Sequence, residues 1–144
     1  MIIQENLKEK QRRIGITGGI ASGKSTITKF IAKKKKIKIL DADNYSKELL
    51  FPGSKTYDQI INHFGLSIID NQANPKRISK KKLKKLIFDN TSEKKWIEKL
   101  LHPIIKENML KDCKKFKREK TLILEIPLLF QAKFDSLCTE IWLV

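Results

Sequence analysis

Apolar residues change their spacing several times along this chain, and each change predicts an element. Residues 14–17, Ile-Gly-Ile-Thr, follow two arginines and run into Gly18-Gly19, the pattern of a short buried strand ending in a tight turn. From Lys24 onward Ile27, Phe30 and Ile31 recur at helical spacing. The lysine run 33–36 closes that helix, where positive charge suits the negative end of the helix dipole. Residues 37–40 then read as a second strand, ending at Asp41-Ala42-Asp43. A strand, loop, helix and strand in this order build a parallel sheet.

The middle of the chain is helical. Tyr57, Ile60, Ile61 and Phe64 fall at i, i+3, i+4 and i+7, with Gly65 placed to cap the C-terminus. Ser79 caps a helix carrying Leu83, Leu86 and Ile87, and Asn90 with Glu93 forms a capping pattern before Trp96, Ile97, Leu100 and Leu101. Pro103 suits the first turn of a separate helix bearing Ile104, Ile105, Met109, Leu110, Cys113 and Phe116. Residues 121–126 read as a third strand and 140–144 as a fourth, with no internal repeat. A sheet strand with no helix after it leads us to expect a fragment of a longer protein.

Length and composition narrow the class. The 144 residues suit one hydrophobic core, and 40% hydrophobic content is too high for a disordered chain. No apolar run reaches the roughly 18 residues of a membrane span. The opening residues show neither a long apolar stretch nor a small-residue cleavage site, so a secretory signal is not expected. Cys113 and Cys138 lie far apart, outside any CxxC spacing, which points to a reducing cytoplasm. The net charge of +15 favours polyanionic partners: nucleic acid, an anionic membrane surface or a phosphorylated small molecule. All but four of the 31 basic residues are lysine, however, and lysine runs are usually solvated helix faces.

Chemistry concentrates at Gly18-Gly19-Ile20-Ala21-Ser22-Gly23-Lys24-Ser25, which matches G-x-x-x-x-G-K-[ST] at every fixed position, with Thr26 next. Glycines let such a loop curl until successive backbone N–H groups point at phosphate oxygens, and the following helix adds its positive end. Lys24 then reaches the β- and γ-phosphates of a nucleotide, and the Ser25 hydroxyl is placed to bind Mg²⁺. Asp41 and Asp43 lie at the carboxyl end of the second strand, where ligands bind in open parallel sheets. They suit either proton transfer and metal-bound water or an ordinary turn and helix cap. Glu125, near the end of the third strand, fits a carboxylate over Mg²⁺ or an ordinary strand end. His63 and His102 show no metal-ligand spacing. Aromatics do not interleave with the lysine runs, and no zinc-finger or RNA-binding signature appears.

Four ordered segments carry a family resemblance: ITGGIASGKST, the DAD at 41–43, Leu101-His102-Pro103 and Ile126-Pro127-Leu128-Leu129-Phe130. Together they resemble the dephospho-coenzyme A kinases. The resemblance implies ATP-dependent phosphorylation of the ribose 3′-hydroxyl of dephospho-coenzyme A, the last step of coenzyme A synthesis. It implies an α/β fold, a P-loop kinase-like three-layer sandwich with a parallel sheet and a helical substrate-binding insertion. The expected division is a phosphate-binding core at 12–50, an acceptor-binding insertion at 54–118 and a return to the sheet at 119–144. Asp43 matches the general base and Asp41 its partner in the motif. His102 falls in the segment that helps form the acceptor pocket, and Lys24 stabilises charge on the transferred phosphoryl group. The implied ligands are ATP, Mg²⁺ and dephospho-coenzyme A, with no nucleic acid, no membrane and a cytoplasmic location.

The sequence also departs from the family. Ala21 replaces a common glycine, Gln131 a common glutamate and Lys80 a common arginine, whose loss removes bidentate phosphate contacts. The family continues past the fourth strand into an arginine-bearing lid, which these residues do not include. Two other readings stay open: another P-loop kinase acting on a small alcohol or nucleoside, and a non-catalytic basic module binding nucleotide or nucleic acid.

Overall fold

Four strands assemble into one sheet, in which the apolar runs of the two inner strands are buried on both faces, as central parallel strands require. The four are β1 (Arg12–Thr17), β2 (Lys38–Asp41), β5 (Thr121–Glu125) and β6 (Glu140–Leu143), ordered β2-β5-β1-β6. In the computed structural model, which describes residues 10–19, 22–127 and 131–144, every pairing in this sheet is parallel. The two inner strands are the most apolar: Ile16, Leu122, Ile123 and Leu124 are fully buried. Between β1 and β2 runs α1 (Lys24–Lys35), whose Ile31 and Ala32 pack against Ile14, Ile16 and Ile123.

The chain divides into two compact units. The first comprises Met1–Ala42 with Asn108–Val144 and contains the four-stranded sheet. The second, Asp43–Glu107, contains α3 (Lys55–Phe64), a hairpin of β3 (Ile69–Asp70) and β4 (Arg77–Ile78), and α4 (Lys80–Phe88). Two helices have residues in both units, α2 (Ala42–Glu48) and α5 (Thr91–Lys115). A short α6 (Gln131–Phe134) precedes β6.

The caps read from sequence hold. Ser79 accepts a hydrogen bond from the Lys82 amide at 3.2 Å, and Ser54, a cap the sequence reading did not mark, accepts one from the Tyr57 amide at 3.0 Å. Asn90 accepts from the Glu93 amide at 3.2 Å, while the Glu93 carboxylate pairs with His63.

Two expectations fail for physical reasons. Pro103 does not begin a helix; it lies inside the 25-residue α5. A proline there forfeits one backbone hydrogen bond and crowds the preceding turn. The helix nevertheless continues, because Ile97, Leu101, Ile105, Met109 and Cys113 form one buried stripe at four-residue steps through it. The buried face of α1 is also not the one its apolar residues mark. Phe30 is 63% exposed, whereas Thr28 is fully buried, its hydroxyl satisfied by the Lys24 carbonyl at 2.8 Å. The DAD segment falls at the end of the second strand as read from the sequence: Asp41 ends β2 and α2 begins at Ala42.

Candidate active site

β1 delivers the chain into the phosphate-binding loop at Thr17, and among the loop's described residues a close approach at Gly18 and a left-handed Gly23 set its course. A Cβ on Gly18 would sit 2.5 Å from the Val144 carbonyl oxygen and 2.7 Å from Ser22 Oγ, so only glycine fits. The Ser22 amide donates to the Gly19 carbonyl at 3.2 Å, tightening the turn. Gly23 adopts φ 83° as the N-cap of α1, a conformation that favours glycine. Lys24, Ser25 and Thr26 form the first turn of α1. Ile20 and Ala21 lie outside the described residues, as do Leu128 to Phe130 of the fourth family segment.

Two carboxylates meet at the strand ends beside this loop. Glu125 closes β5 between Ile16 of β1 and Asp41 of β2, its direct partners in the parallel ladders. Neighbouring positions in register point their side chains to the same face of the sheet. Glu125 is 8% exposed and accepts a hydrogen bond from the Ser25 hydroxyl at 2.9 Å. A buried carboxylate touching the loop serine is the donor pair that a magnesium nucleotide needs, since Mg²⁺ takes oxygen ligands from few protein groups plus phosphates and water. No cluster of three or more His, Cys, Asp or Glu suited to a metal occurs among the described residues. Such a cluster is not required when phosphates complete the coordination shell.

Two hydroxyls support the same reading. Thr17 Oγ1 and Ser22 Oγ are buried and have no hydrogen-bond partner among the described residues. An unsatisfied buried hydroxyl costs about 1–3 kcal/mol, which polar atoms of a ligand in the loop would recover. The sequence placed Ser22 in the phosphate-binding loop and Thr17 at a strand end, without marking either hydroxyl.

Asp43 and His102 belong to the second unit. Asp43 stands in the first turn of α2, and Lys80, at the start of α4, donates a 2.6 Å hydrogen bond to its Oδ1. Partial burial pushes the Asp43 carboxyl up. The Lys80 hydrogen bond and the charges of Lys80, Lys47 and Lys84 outweigh it and hold the group below the ordinary carboxylate value. Asp43 is therefore ionised at neutral pH, as a proton acceptor must be. His102 is 3% exposed on α5, in the segment preceding Pro103. The sequence marked Lys80 only as a substitution; its partner was invisible because 37 residues separate the two.

Comparison with known proteins fits this arrangement. Residues 12–144 match the family model of dephospho-CoA kinase. The chain belongs to the dephospho-CoA kinase family. A relative named dephospho-CoA kinase from Prochlorococcus marinus strain MIT 9312 is 53% identical over 145 residues, covering 100% of this chain and 71% of the relative. One of the same name from Synechocystis is 41% identical over 135 residues, covering 94% and 66%. Among solved structures, the dephospho-CoA kinase from Campylobacter jejuni is 27% identical with a TM-score of 0.67, over 89% of this chain and 63% of that one. A Thermus thermophilus crystal structure at 24% identity shares the fold, with a TM-score of 0.73 over 93% and 65%. The parallel sheet with its loop and helices is accordingly a P-loop kinase-like α/β fold, and the family is one of kinases acting at the last step of coenzyme A synthesis. The chain spans less than two thirds of either solved structure. No helix among the described residues is long and apolar enough to cross a membrane.

Proposed function

We propose that this chain carries the kinase activity of its family, moving the γ-phosphoryl group of ATP to the ribose 3′-hydroxyl of dephospho-coenzyme A. The hydroxyl oxygen bonds to the γ-phosphorus, the bond to the ADP oxygen breaks, and Asp43 takes the hydroxyl proton. Backbone amides of residues 18–25 and the positive end of α1 hold the phosphates, and Lys24 stabilises the charge spreading over the transferred group. Ser25 and Glu125 are the residues that would hold Mg²⁺, which neutralises phosphate charge when bound. Asp41, the ladder neighbour of Glu125, accepts hydrogen bonds from water around the metal site. His102 shapes the acceptor side through its buried position on α5. The cytoplasm is the compartment, in keeping with two free cysteines.

The observation that carries this reading is the Ser25–Glu125 hydrogen bond beside two buried hydroxyls that find no partner among the described residues. Thermal protection tests it. Magnesium-ATP and dephospho-coenzyme A should each raise the melting temperature, as any ligand of the native state does. An acceptor-specific shift separates this enzyme from a kinase of another small alcohol. Protection by oligonucleotides that collapses with added salt would instead support the nucleic-acid-binding reading.

A further inference from the structure

The second unit contains a cavity of about 450 Å³ that the chemistry above does not use. Leu50, Phe51 and Ile78 give it apolar lining, Lys47, Arg77 and Lys80 give it three cations, and Asp70 gives it one carboxylate. Lys80 also donates the 2.6 Å hydrogen bond to Asp43, so one side chain joins the cavity lining to the proposed base. Arg77 is the unusual member. Its guanidinium lies 5.1 Å from the centre of the Phe51 ring, an arrangement that fixes the group in place. Across the hairpin Arg77 is in register with Asp70, yet the two form no ion pair. Asp70 instead turns its Oδ1 to the amides of Gln72 and Ala73, at 3.1 and 3.2 Å. A half-buried guanidinium is thus held on a ring with its donors uncommitted among the described residues. That is the preparation a planar, bidentate anion contact calls for.

We propose that this cavity binds the diphosphate of the acceptor, with Arg77 as its principal ligand and Lys47 and Lys80 completing the charge. The proposal rests on Asp43 being the base. An acceptor that presents its 3′-hydroxyl to Asp43 carries its diphosphate on the 5′-oxygen of the same ribose. The anion subsite therefore has to lie within one sugar's reach of the base, and a cavity that shares Lys80 with Asp43 meets that requirement. The apolar lining accommodates the uncharged arm beyond the diphosphate.

The test is calorimetric binding of dephospho-coenzyme A, inorganic pyrophosphate and adenosine to the wild-type chain, Arg77→Gln and Arg77→Lys, with coenzyme A formation measured alongside. Arg77→Gln should weaken dephospho-coenzyme A and pyrophosphate by about tenfold or more, the usual effect of losing a charge-assisted bidentate contact. Arg77→Lys should recover part of that loss, and adenosine, which has no phosphate, should bind all three alike. Equal affinity of wild type and Arg77→Gln for dephospho-coenzyme A, with coenzyme A still formed, overturns the subsite and leaves the kinase reading standing. A parallel loss of adenosine binding in Arg77→Gln would show a structural role for Arg77 and also overturn it. Failure of the wild type both to bind dephospho-coenzyme A and to form coenzyme A overturns both.

Discussion

The Ser25 hydroxyl donates a 2.9 Å hydrogen bond to Glu125 across 100 residues of sequence, tying the first turn of α1 to the end of β5. The bond fixes the loop serine against the only buried carboxylate at the described strand ends, and on that contact rests our proposal that Glu125 serves the nucleotide site. Replacing Glu125 by Gln keeps an acceptor for Ser25 and removes the charge. Metal-free ATP binding should survive in that variant, while its tightening by Mg²⁺ is lost and kcat falls about a hundredfold, the scale of losing one positioned electrostatic group. Titrations of ATP with and without Mg²⁺ check this; an unchanged magnesium effect would remove Glu125 from the site.

Lys80 holds Asp43 in its ionised form, and the consequence is a pH effect of definite sign. The folded value of Asp43 lies below its ordinary value. Its contribution to stability is therefore present above the ordinary carboxylate range and is lost as pH falls through the folded value. With the Asp43 side chain 48% exposed, solvent screening limits that share to less than about 1 kcal/mol. Lys80→Met should move the Asp43 titration upward, because burial then acts against fewer compensating charges. Carboxyl-resolved NMR titration reads the shift directly, and the acid limb of kcat/KM should rise with it.

The loop glycines are not equivalent. Gly18→Ala forces a methyl against the backbone oxygen of Val144, which cannot swing aside, whereas a Cβ on Gly19 meets nothing within 4 Å. Gly18→Ala should cost about 1–3 kcal/mol of stability, as overpacking does, and weaken ATP binding as the loop shifts. Gly19→Ala should leave the melting temperature within a few degrees of wild type. Thermal denaturation of the two variants side by side decides the matter.

Burial pushes the Cys138 thiol up to about 11, with help from the negative charge of Asp135 and from Cys113. Cys113 is raised as well, again by burial. Only a small fraction of Cys138 is thiolate at pH 8, so alkylation by iodoacetamide should run about a hundredfold slower than for an unperturbed thiol. Mass-resolved labelling of the native chain measures it, and rapid modification of Cys138 would contradict the raised thiol that its partial burial produces.

How much of this was legible in the sequence depended on the range of the interaction. The phosphate loop, the strand before it and the caps at Ser79 and Asn90 are local, and residues 14–26, 79–82 and 90–93 were enough to read them. Pro103 misled because local propensity argues for a helix boundary, while the buried stripe from Ile97 to Cys113 is a tertiary effect that overrides it. Phe30 misled in the same way: its hydrophobicity marked a face that the sheet packing of Ile31 and Ala32 left outside. Pairs such as Ser25–Glu125 and Asp43–Lys80 join residues far apart in the chain, and the setting of Arg77 on Phe51 left no trace in spacing.

On the proposed function, this chain phosphorylates dephospho-coenzyme A with Asp43 as the base. The most direct test is to incubate the purified chain with magnesium-ATP and dephospho-coenzyme A, with Asp43→Asn in parallel, and read the product by mass. Coenzyme A, heavier by about 80 Da for one added phosphoryl group (HPO₃), is expected from the wild type and almost none from Asp43→Asn, which should still bind ATP. Equal product from both proteins would contradict the assignment of Asp43, and no product from the wild type would contradict the claim that this chain performs the reaction.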